Sequence, residues 1–156
     1  MTPLALVVFV LWCYDGDTCT VEVPGWHPIV GEAIPVRFAG IDAPEIRGKC
    51  EREKAHAKLV QKIVESKLQA AKRVELKEIE RGKYFRLVAK VYADGRDVGA
   101  DLLKRGLVRE YDGAGPRESW CPEVDPYKDA PSPAAPQSYR PRGGSLVGES
   151  TKHKAD

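Results

Sequence analysis

Two short acidic motifs hold the side chains best suited to chemistry in this sequence. The first is DGDT at residues 15–18, and the second is GIDAPE at residues 40–45. Each motif alone is also typical of a solvated turn between strands. If Asp17 and Asp42 lie at the ends of neighbouring strands, their carboxylates repel each other unless a cation neutralises them. Carboxylate, backbone carbonyl and water oxygens are the ligands of a hard cation, and they suit calcium and, less strictly, magnesium.

Two arginines add a second kind of chemistry. Arg37 and Arg86 have apolar neighbours in predicted strands, in the segments VRF and YFRL. An unpaired charge is expensive to bury, so each arginine either faces solvent or meets an anion. Guanidinium groups match phosphate oxygens bidentately, so two arginines near two carboxylates indicate a phosphate clamp. With Glu45 to position or deprotonate a water, the set favours hydrolysis of a phosphodiester.

Hydrophobic periodicity predicts the elements that would carry these side chains. The predicted strands cover residues 4–13, 19–23, 34–41, 74–79 and 84–92. The predicted helices cover residues 51–73 and 99–105, and Gly106 stops the second one. The apolar face of the long helix is predicted to consist of Ala55, Leu59, Val60, Ile63, Val64, Leu68 and Ala71. This order predicts a mainly β (α+β) fold, a five-stranded OB-fold barrel with one long helix and one or two short helices.

Length and composition favour a single folded domain. The chain has 156 residues, of which 42% are apolar and 31% charged, enough for one core and too few for two. We expect the barrel domain over residues 1–112 and an extension over 113–129 that packs on the barrel or trails from it. Residues 130–156 are rich in Pro, Gly and Ser and are predicted to form a disordered tail.

Charge alone does not identify a partner. The formal net charge of +2 is too small to indicate nucleic-acid binding by itself. Basic residues after the second motif either line a path for a phosphate backbone or solvate one helix face. These residues are Arg47, Lys49, Arg52, Lys54, Lys58 and Lys62.

The N-terminal segment and the cysteines are the features of the sequence that relate to the cellular compartment of the protein. Residues 1–13 are apolar but too short to span a bilayer, and a buried strand is favoured over a signal peptide. Cys50 and Cys121 lie in polar surroundings and could pair in an oxidising compartment, although four unconnected thiols fit the sequence equally. No C-x-x-C pair is present, so a structural zinc site is not expected.

In ordered motifs the chain resembles the staphylococcal nuclease (thermonuclease) family. The matching pieces are DGDT at 15–18, VRFAGIDAPE at 36–45, KYFR at 83–86, VYADG at 91–95 and LLKRGL at 102–107. They follow one another in the family's order and with similar spacing. Each motif is only moderately specific, so the ordered set carries the resemblance.

The resemblance implies an OB-type barrel and calcium-dependent cleavage of DNA and RNA that leaves 3′-phosphate ends. It implies metal binding by the Asp17 and Asp42 carboxylates and the Ala43 carbonyl. It also places Glu45 next to the attacking water and puts Arg37 and Arg86 on the scissile phosphate. Lys83 and Tyr84 match positions that hold a neighbouring phosphate, and Tyr111 is a candidate for stacking on bases or packing in the barrel.

Several positions depart from the family pattern. Ala43 stands where the best-known member has Thr, and Phe85 replaces a Gly between the Tyr and the Arg. The segment 46–50 is shorter than the flexible loop of that member. After Tyr111 the sequence shows no counterpart of its long C-terminal helix. These differences concern the rate more than the presence of the site.

Two other interpretations remain open from sequence alone. Tudor-type proteins carry nuclease-like barrels that lack the acidic residues and only bind nucleic acid, whereas this chain keeps every catalytic side chain. A structural barrel with a stabilising cation would have no need of the two arginines. The expected partners are single- or double-stranded DNA and RNA, with no membrane and a monomeric chain. Because a free endonuclease endangers a cytoplasm, a secreted or periplasmic location is favoured.

Overall fold

Five strands close into a barrel in the structure, a computed structural model that describes residues 4–122. In chain order the strands are β1 Leu6–Cys13, β2 Thr18–Glu22, β3 Ile34–Phe38, β4 Ile41–Asp42, β5 Val74–Arg81, β6 Leu87–Ala93, β7 Arg96–Asp97 and β8 Arg109–Glu110. The helices are α1 Pro28–Gly31, α2 Glu51–Ala70 and α3 Val98–Lys104. The barrel order is β3-β2-β1-β5-β6, and a parallel pairing of β3 with β6 closes it. This closure, with one long and two short helices, confirms the predicted mainly β fold of OB type.

The barrel core comes from alternate residues of the strands. Val21, Val36, Leu76 and Val91 are each at most 3% exposed. Helix α2 adds three buried residues to the same cluster, Val60, Val64 and Leu68. Burial of a large aliphatic side chain stabilises the fold by about 1.5–3 kcal/mol, so this continuous cluster is the main support of the barrel.

The long helix differs from its prediction at one edge of its apolar face. Val60, Val64 and Leu68 are buried as predicted, but Ala55 and Leu59 are exposed, so their predicted burial was wrong. The buried positions of the helix instead include Ala57 and Glu53. Periodicity missed Glu53 because an acidic side chain does not read as buried, although here backbone N–H groups satisfy it. The helix also ends at residue 70 rather than 73, because the backbone of the next residue is extended.

Two predicted strands are interrupted by turns. The strand predicted over 34–41 ends at Phe38, because Gly40 has a φ of +80° and turns the chain into β4. Strand β4 then pairs with β8 in a separate two-stranded sheet. The strand predicted over 84–92 begins only at Leu87, because Tyr84 and Phe85 both have φ near +58°. Arg86 therefore lies in a loop and not within a strand as predicted.

The turn and helix that follow β6 agree with the sequence. Asp94 and Gly95 have φ of +49° and +80°, the left-handed pair that a tight two-residue hairpin requires. The Asp97 carboxylate caps α3 by accepting from Ala100 N at 3.0 Å. Gly106, with φ of +66°, ends the helix region.

All four cysteines are paired. Cys13 and Cys19 face each other across β1 and β2 and form one disulfide, which sequence reasoning did not anticipate. Cys50 and Cys121 form the other, the pairing that sequence reasoning left open. A disulfide typically stabilises a fold by about 2–4 kcal/mol. The second bridge ties the start of α2 to residues 111–122, named here the C-terminal strap.

The described residues test only some of the predictions about domain limits and the C-terminal extension. Residues 113–122 contain no helix or strand, and the rest of the predicted extension, 123–129, lies outside the described residues. The predicted tail over 130–156 also lies outside them, so the domain limits stay predictions. Among residues 4–122, no helix is both long enough and apolar enough to cross a membrane.

Candidate active site

The two predicted acidic residues meet at one rim of the barrel, joined by an arginine. Asp17 lies in the turn before β2, and Asp42 ends β4; they are 2% and 4% exposed. Arg37 Nη1 lies 3.1 Å from Asp17 Oδ1, and Arg37 Nη2 lies 3.7 Å from Asp42 Oδ1. One guanidinium therefore neutralises part of the charge of two buried carboxylates, which would otherwise destabilise each other.

Neighbouring groups hold the Asp17 side chain in one position. Oδ2 of Asp17 accepts from Ala43 N at 2.8 Å, and Oδ1 of Asp17 accepts from the Thr18 hydroxyl at 2.9 Å. A Cβ at Gly16 would lie 2.4 Å from Cγ1 of Val60, so only glycine lets α2 pack this close. The carboxylate of Asp17 is therefore held in place before any ligand arrives.

Asp15 is the third carboxylate of this rim. It is buried, and its Oδ1 accepts from Asp17 N at 3.2 Å. Burial, and then the charge of Asp17, raise the pKa of Asp15 to about 7. Near neutral pH this side chain is partly protonated, while sequence reasoning had treated it only as part of the motif.

The donor set fits a hard cation. Asp42 Oδ1 is buried and makes no hydrogen bond among residues 4–122, and its charge is balanced there by ion pairs with Arg117 and Arg37. Arg37 also contacts the Asp17 carboxylate, whose Oδ2 accepts from Ala43 N. Buried carboxylate oxygens suit calcium better than a soft metal.

A different cluster does not qualify as a metal site. Cys50, Glu53 and Cys121 bring three potential ligand atoms within 4.8 Å of one another, the one such group of His, Cys, Asp or Glu in the described part of the chain. Its two sulfurs are joined in a disulfide, so neither can be a thiolate ligand.

Glu45 lies three positions after Asp42, and its side chain is half-exposed. Its backbone N–H donates to Glu53 Oε1 at 3.3 Å, which anchors the turn that carries it. Glu53 also accepts from Lys49 N at 2.8 Å, so one buried carboxylate holds the short segment between Glu45 and α2. The Glu45 carboxylate itself pairs with Arg117 of the C-terminal strap.

Arg86 lies on a cleft next to the carboxylates. The cleft has a volume of about 470 Å³, and Arg37, Lys83, Tyr111 and Arg117 also line it. Arg86 Nε is buried and has no hydrogen-bond partner within the described residues. An unsatisfied cationic donor on such a cleft is suited to an anionic ligand.

Of the remaining residues predicted to bind substrate, some line the cleft and one does not. Lys83 and Tyr111 line the cleft, and the Tyr111 hydroxyl donates to Gly115 O at 2.9 Å. Tyr84 lies at the tip of the loop with 93% of its surface exposed and does not line the cleft. Of the basic residues after the second motif, Arg47 and Lys49 line a neighbouring cleft of about 370 Å³.

Sequence reasoning missed Arg117 and Trp120. Arg117 Nε lies 3.2 Å from Asp42 Oδ1, and Trp120 Nε1 donates to Asp42 Oδ2 at 3.1 Å. Both belong to the C-terminal strap, which the sequence marked only as an extension. A pairing of Cys121 with Cys50, which lies five positions after Glu45, was the signal that could have brought them to the site.

A barrel of OB type with buried carboxylates and arginines at one rim is suited to an anionic ligand. Comparison with known proteins agrees: residues 35–128, more than half of the chain, match the family described as staphylococcal nuclease homologue. The chain belongs to this family. The match begins after Asp17, so the assignment of that residue to the site rests on its contacts with Arg37 and Ala43.

Individual relatives agree with the family. A probable endonuclease from Podospora anserina is 34% identical over 88 residues, which cover 53% of this chain and 31% of that protein. A probable endonuclease from Schizosaccharomyces pombe is 30% identical over 107 residues, covering 58% of this chain and 46% of that protein. The chain thus matches between about a third and a half of the length of these relatives.

Proposed function

We propose that this protein is a calcium-dependent nuclease that hydrolyses phosphodiester bonds of DNA and RNA. The observation that carries the proposal is the pair of buried carboxylates, Asp17 and Asp42, bridged by Arg37 beside the cleft that Arg86 lines. Membership in the nuclease family and the endonuclease names of the two relatives support it. A purely structural barrel would have no use for an Arg86 whose buried Nε lacks a hydrogen-bond partner among residues 4–122.

The proposed division of labour follows from the positions of the side chains. Asp17, Asp42 and the Ala43 carbonyl would hold the calcium ion, which when bound supplies positive charge for the phosphate and the leaving oxygen. Glu45 accepts a proton from the water that attacks phosphorus. The phosphorus–O5′ bond breaks and the 5′-oxygen takes up a proton from solvent, so a 3′-phosphate and a 5′-hydroxyl remain.

Arg37 and Arg86 bind the oxygens of the scissile phosphate as charge develops on them. Arg37 still has unused N–H donors after its hydrogen bonds within the structure are counted. It uses one Nη1–H for Asp17 and one Nη2–H for the carbonyl of Ile41, and a guanidinium has five N–H donors. The contact with Asp17 holds the guanidinium in place at 3.1 Å, and Arg37 lines the cleft beside it.

We also propose that the protein works in an oxidising compartment. The two disulfides join all four cysteines, and such bonds persist where thiols are not continually reduced. A secreted or periplasmic location fits this chemistry. A thiol-alkylation assay on protein taken directly from cells is expected to show no free cysteine.

The nuclease assay uses purified protein with labelled single-stranded DNA, double-stranded DNA and RNA. Calcium should allow cleavage, and a chelator should abolish it. Glu45→Gln should lower kcat by about 10²–10⁴-fold, the usual contribution of a general base. Glu32→Gln, an exposed residue next to α1, is the matched control and should leave kcat unchanged. Intact substrate after hours with calcium would disprove the proposal, and metal-independent binding without cleavage would favour a binding module instead.

A further inference from the structure

One arginine of the C-terminal strap, Arg117, contacts the candidate site directly. Arg117 pairs with both acidic residues of the DAPE segment: its Nε lies 3.2 Å from Asp42 Oδ1, and its Nη1 donates to Glu45 Oε1. The guanidinium thus bridges a residue placed in the metal site and the residue placed next to the attacking water. Burial tends to lower the pKa of Arg117, but the charges of Asp42 and Glu45 outweigh this and raise it, so the bridge stays charged.

Glu45 depends on this contact for its orientation. The side chain is half-exposed and follows a turn, so its rotamers are free unless a partner selects one. Arg117 is the one side-chain partner found for its carboxylate among the described residues. A displacement of about 1 Å in a reacting group can cost on the order of 10²-fold in rate, so whatever orients Glu45 controls turnover.

Several contacts of the strap hold Arg117 next to Asp42 and Glu45. The Cys50–Cys121 disulfide fixes its end to the start of α2. Trp120 donates to Asp42 Oδ2 and lies under the Arg109 guanidinium, 3.9 Å from the ring centroid. Arg109 also donates to Ser119 O at 3.0 Å, so the returning chain is fastened to β8 as well. These contacts fasten the strap immediately after Arg117.

We propose that Arg117 is a positioning residue that holds the Glu45 carboxylate beside Asp42, and that the Cys50–Cys121 disulfide keeps it there. This inference rests on the proposed nuclease function, since it concerns the same site. Arg117 contacts neither water nor phosphate in this role and acts through Glu45. The protein would then use a disulfide-closed strap where the best-known member of the family has a long C-terminal helix.

The test compares Arg117→Met with Arg117→Lys, two side chains of similar length that differ in charge. The expected result is a 10–100-fold fall in kcat for Met with KM changed less than threefold, and partial recovery for Lys. Calcium affinity, measured by calorimetry without substrate, should be equal or higher in the Met variant, because a positive charge near Asp42 has been removed. Arg105→Ala, a surface arginine of the α3 region, is the control and should behave as wild type.

A second variant tests the role of the disulfide. Cys121→Ser should reproduce the lower kcat, and adding Arg117→Met to it should lower kcat no further, because both changes remove one contact. The Met variant keeps the disulfide, so its result stands even if Cys121→Ser unfolds.

Several outcomes would overturn the inference. An Arg117→Met variant with unchanged kcat would show that Glu45 needs no partner. A higher kcat with tighter calcium binding would show that Arg117 instead obstructs the cation site. A loss of calcium affinity would point to damage of the whole site. If wild type cleaves and Arg117→Met cleaves equally well, only this inference fails; if wild type does not cleave, the proposed function fails with it.

Discussion

Trp120 donates its indole N–H to Oδ2 of Asp42 at a distance of 3.1 Å, although 78 positions separate the two residues. The other oxygen of that carboxylate is buried and has no hydrogen-bond partner in the part of the chain that the structure describes. The strap contacts both oxygens of Asp42: Trp120 donates to Oδ2, and Arg117 Nε lies 3.2 Å from Oδ1 as an ion pair. An aromatic ring in contact with a proposed metal ligand also offers a direct optical probe of that site.

Terbium luminescence should report calcium-site occupancy through Trp120. Terbium is a hard cation with the oxygen preference of calcium, and excited tryptophan transfers energy to it only at short range. We expect strong sensitised emission from the wild-type protein, competed away by calcium, and loss of most of it in Trp120→Phe.

The matched control is Trp26→Phe, since Trp26 lies beyond the far end of β2 from Asp17. Emission that survives Trp120→Phe but disappears with Trp26→Phe would place the cation away from Asp42. Emission that calcium does not displace would show that terbium occupies a different site.

Removal of Arg86 should reduce catalysis far more than substrate binding. Its buried Nε has no partner among the described residues, so the side chain is available to a phosphate on the cleft it lines. We expect Arg86→Ala to lower kcat by about 10²–10³-fold, the usual effect of losing one preorganised donor to the transition state. Steady-state kinetics on a labelled oligonucleotide measures it, and Arg86→Lys should recover only a part, because an ammonium lacks the bidentate fork.

Arg96→Ala supplies the comparison, because Arg96 is an exposed residue of the hairpin after β6. A rate for Arg86→Ala within a few-fold of wild type would mean that Arg86 does not touch the reacting phosphate.

The rim of the barrel could be predicted from sequence because its parts are local. Asp17 and Asp42 follow or precede strands with clear alternation, and Arg37 lies in the strand that pairs with the start of β2. Once the barrel order is known, the pairing of Thr18 with Arg37 brings the first motif next to the second. Propensity and periodicity therefore predict the strands beside these three residues, and the barrel order implied by the family resemblance brings the residues together.

The loop before β6 and the strap could not be predicted in the same way. Tyr84 and Phe85 have strong strand propensity, yet both adopt left-handed backbone angles in the turn, so tertiary context overrides propensity there. Arg117 reaches Glu45 across 72 positions of chain, through a segment without periodicity. The disulfide between Cys50 and Cys121 helps to bring that segment to the site, and sequence alone does not determine disulfide connectivity.

Asp15 should make the metal-free fold less stable as pH rises from acid to neutral. Its pKa is raised from 3.8 to about 7 by burial and by the charge of Asp17. The folded state therefore binds this proton more tightly than the unfolded state does. Stability from this group is complete below about pH 4, declines as pH rises towards 7 and is lost above it.

Asp15→Asn removes that dependence while its side-chain oxygen can still accept from Asp17 N. Thermal unfolding in chelator, from pH 4 to pH 8, measures the difference in Tm between variant and wild type. We expect this difference to move in favour of the variant as pH rises, because only wild type must ionise a buried carboxyl. Glu32→Gln, at an exposed position, should show no such trend. A difference in Tm that stays constant across the range would show that Asp15 titrates alike in the folded and unfolded chains.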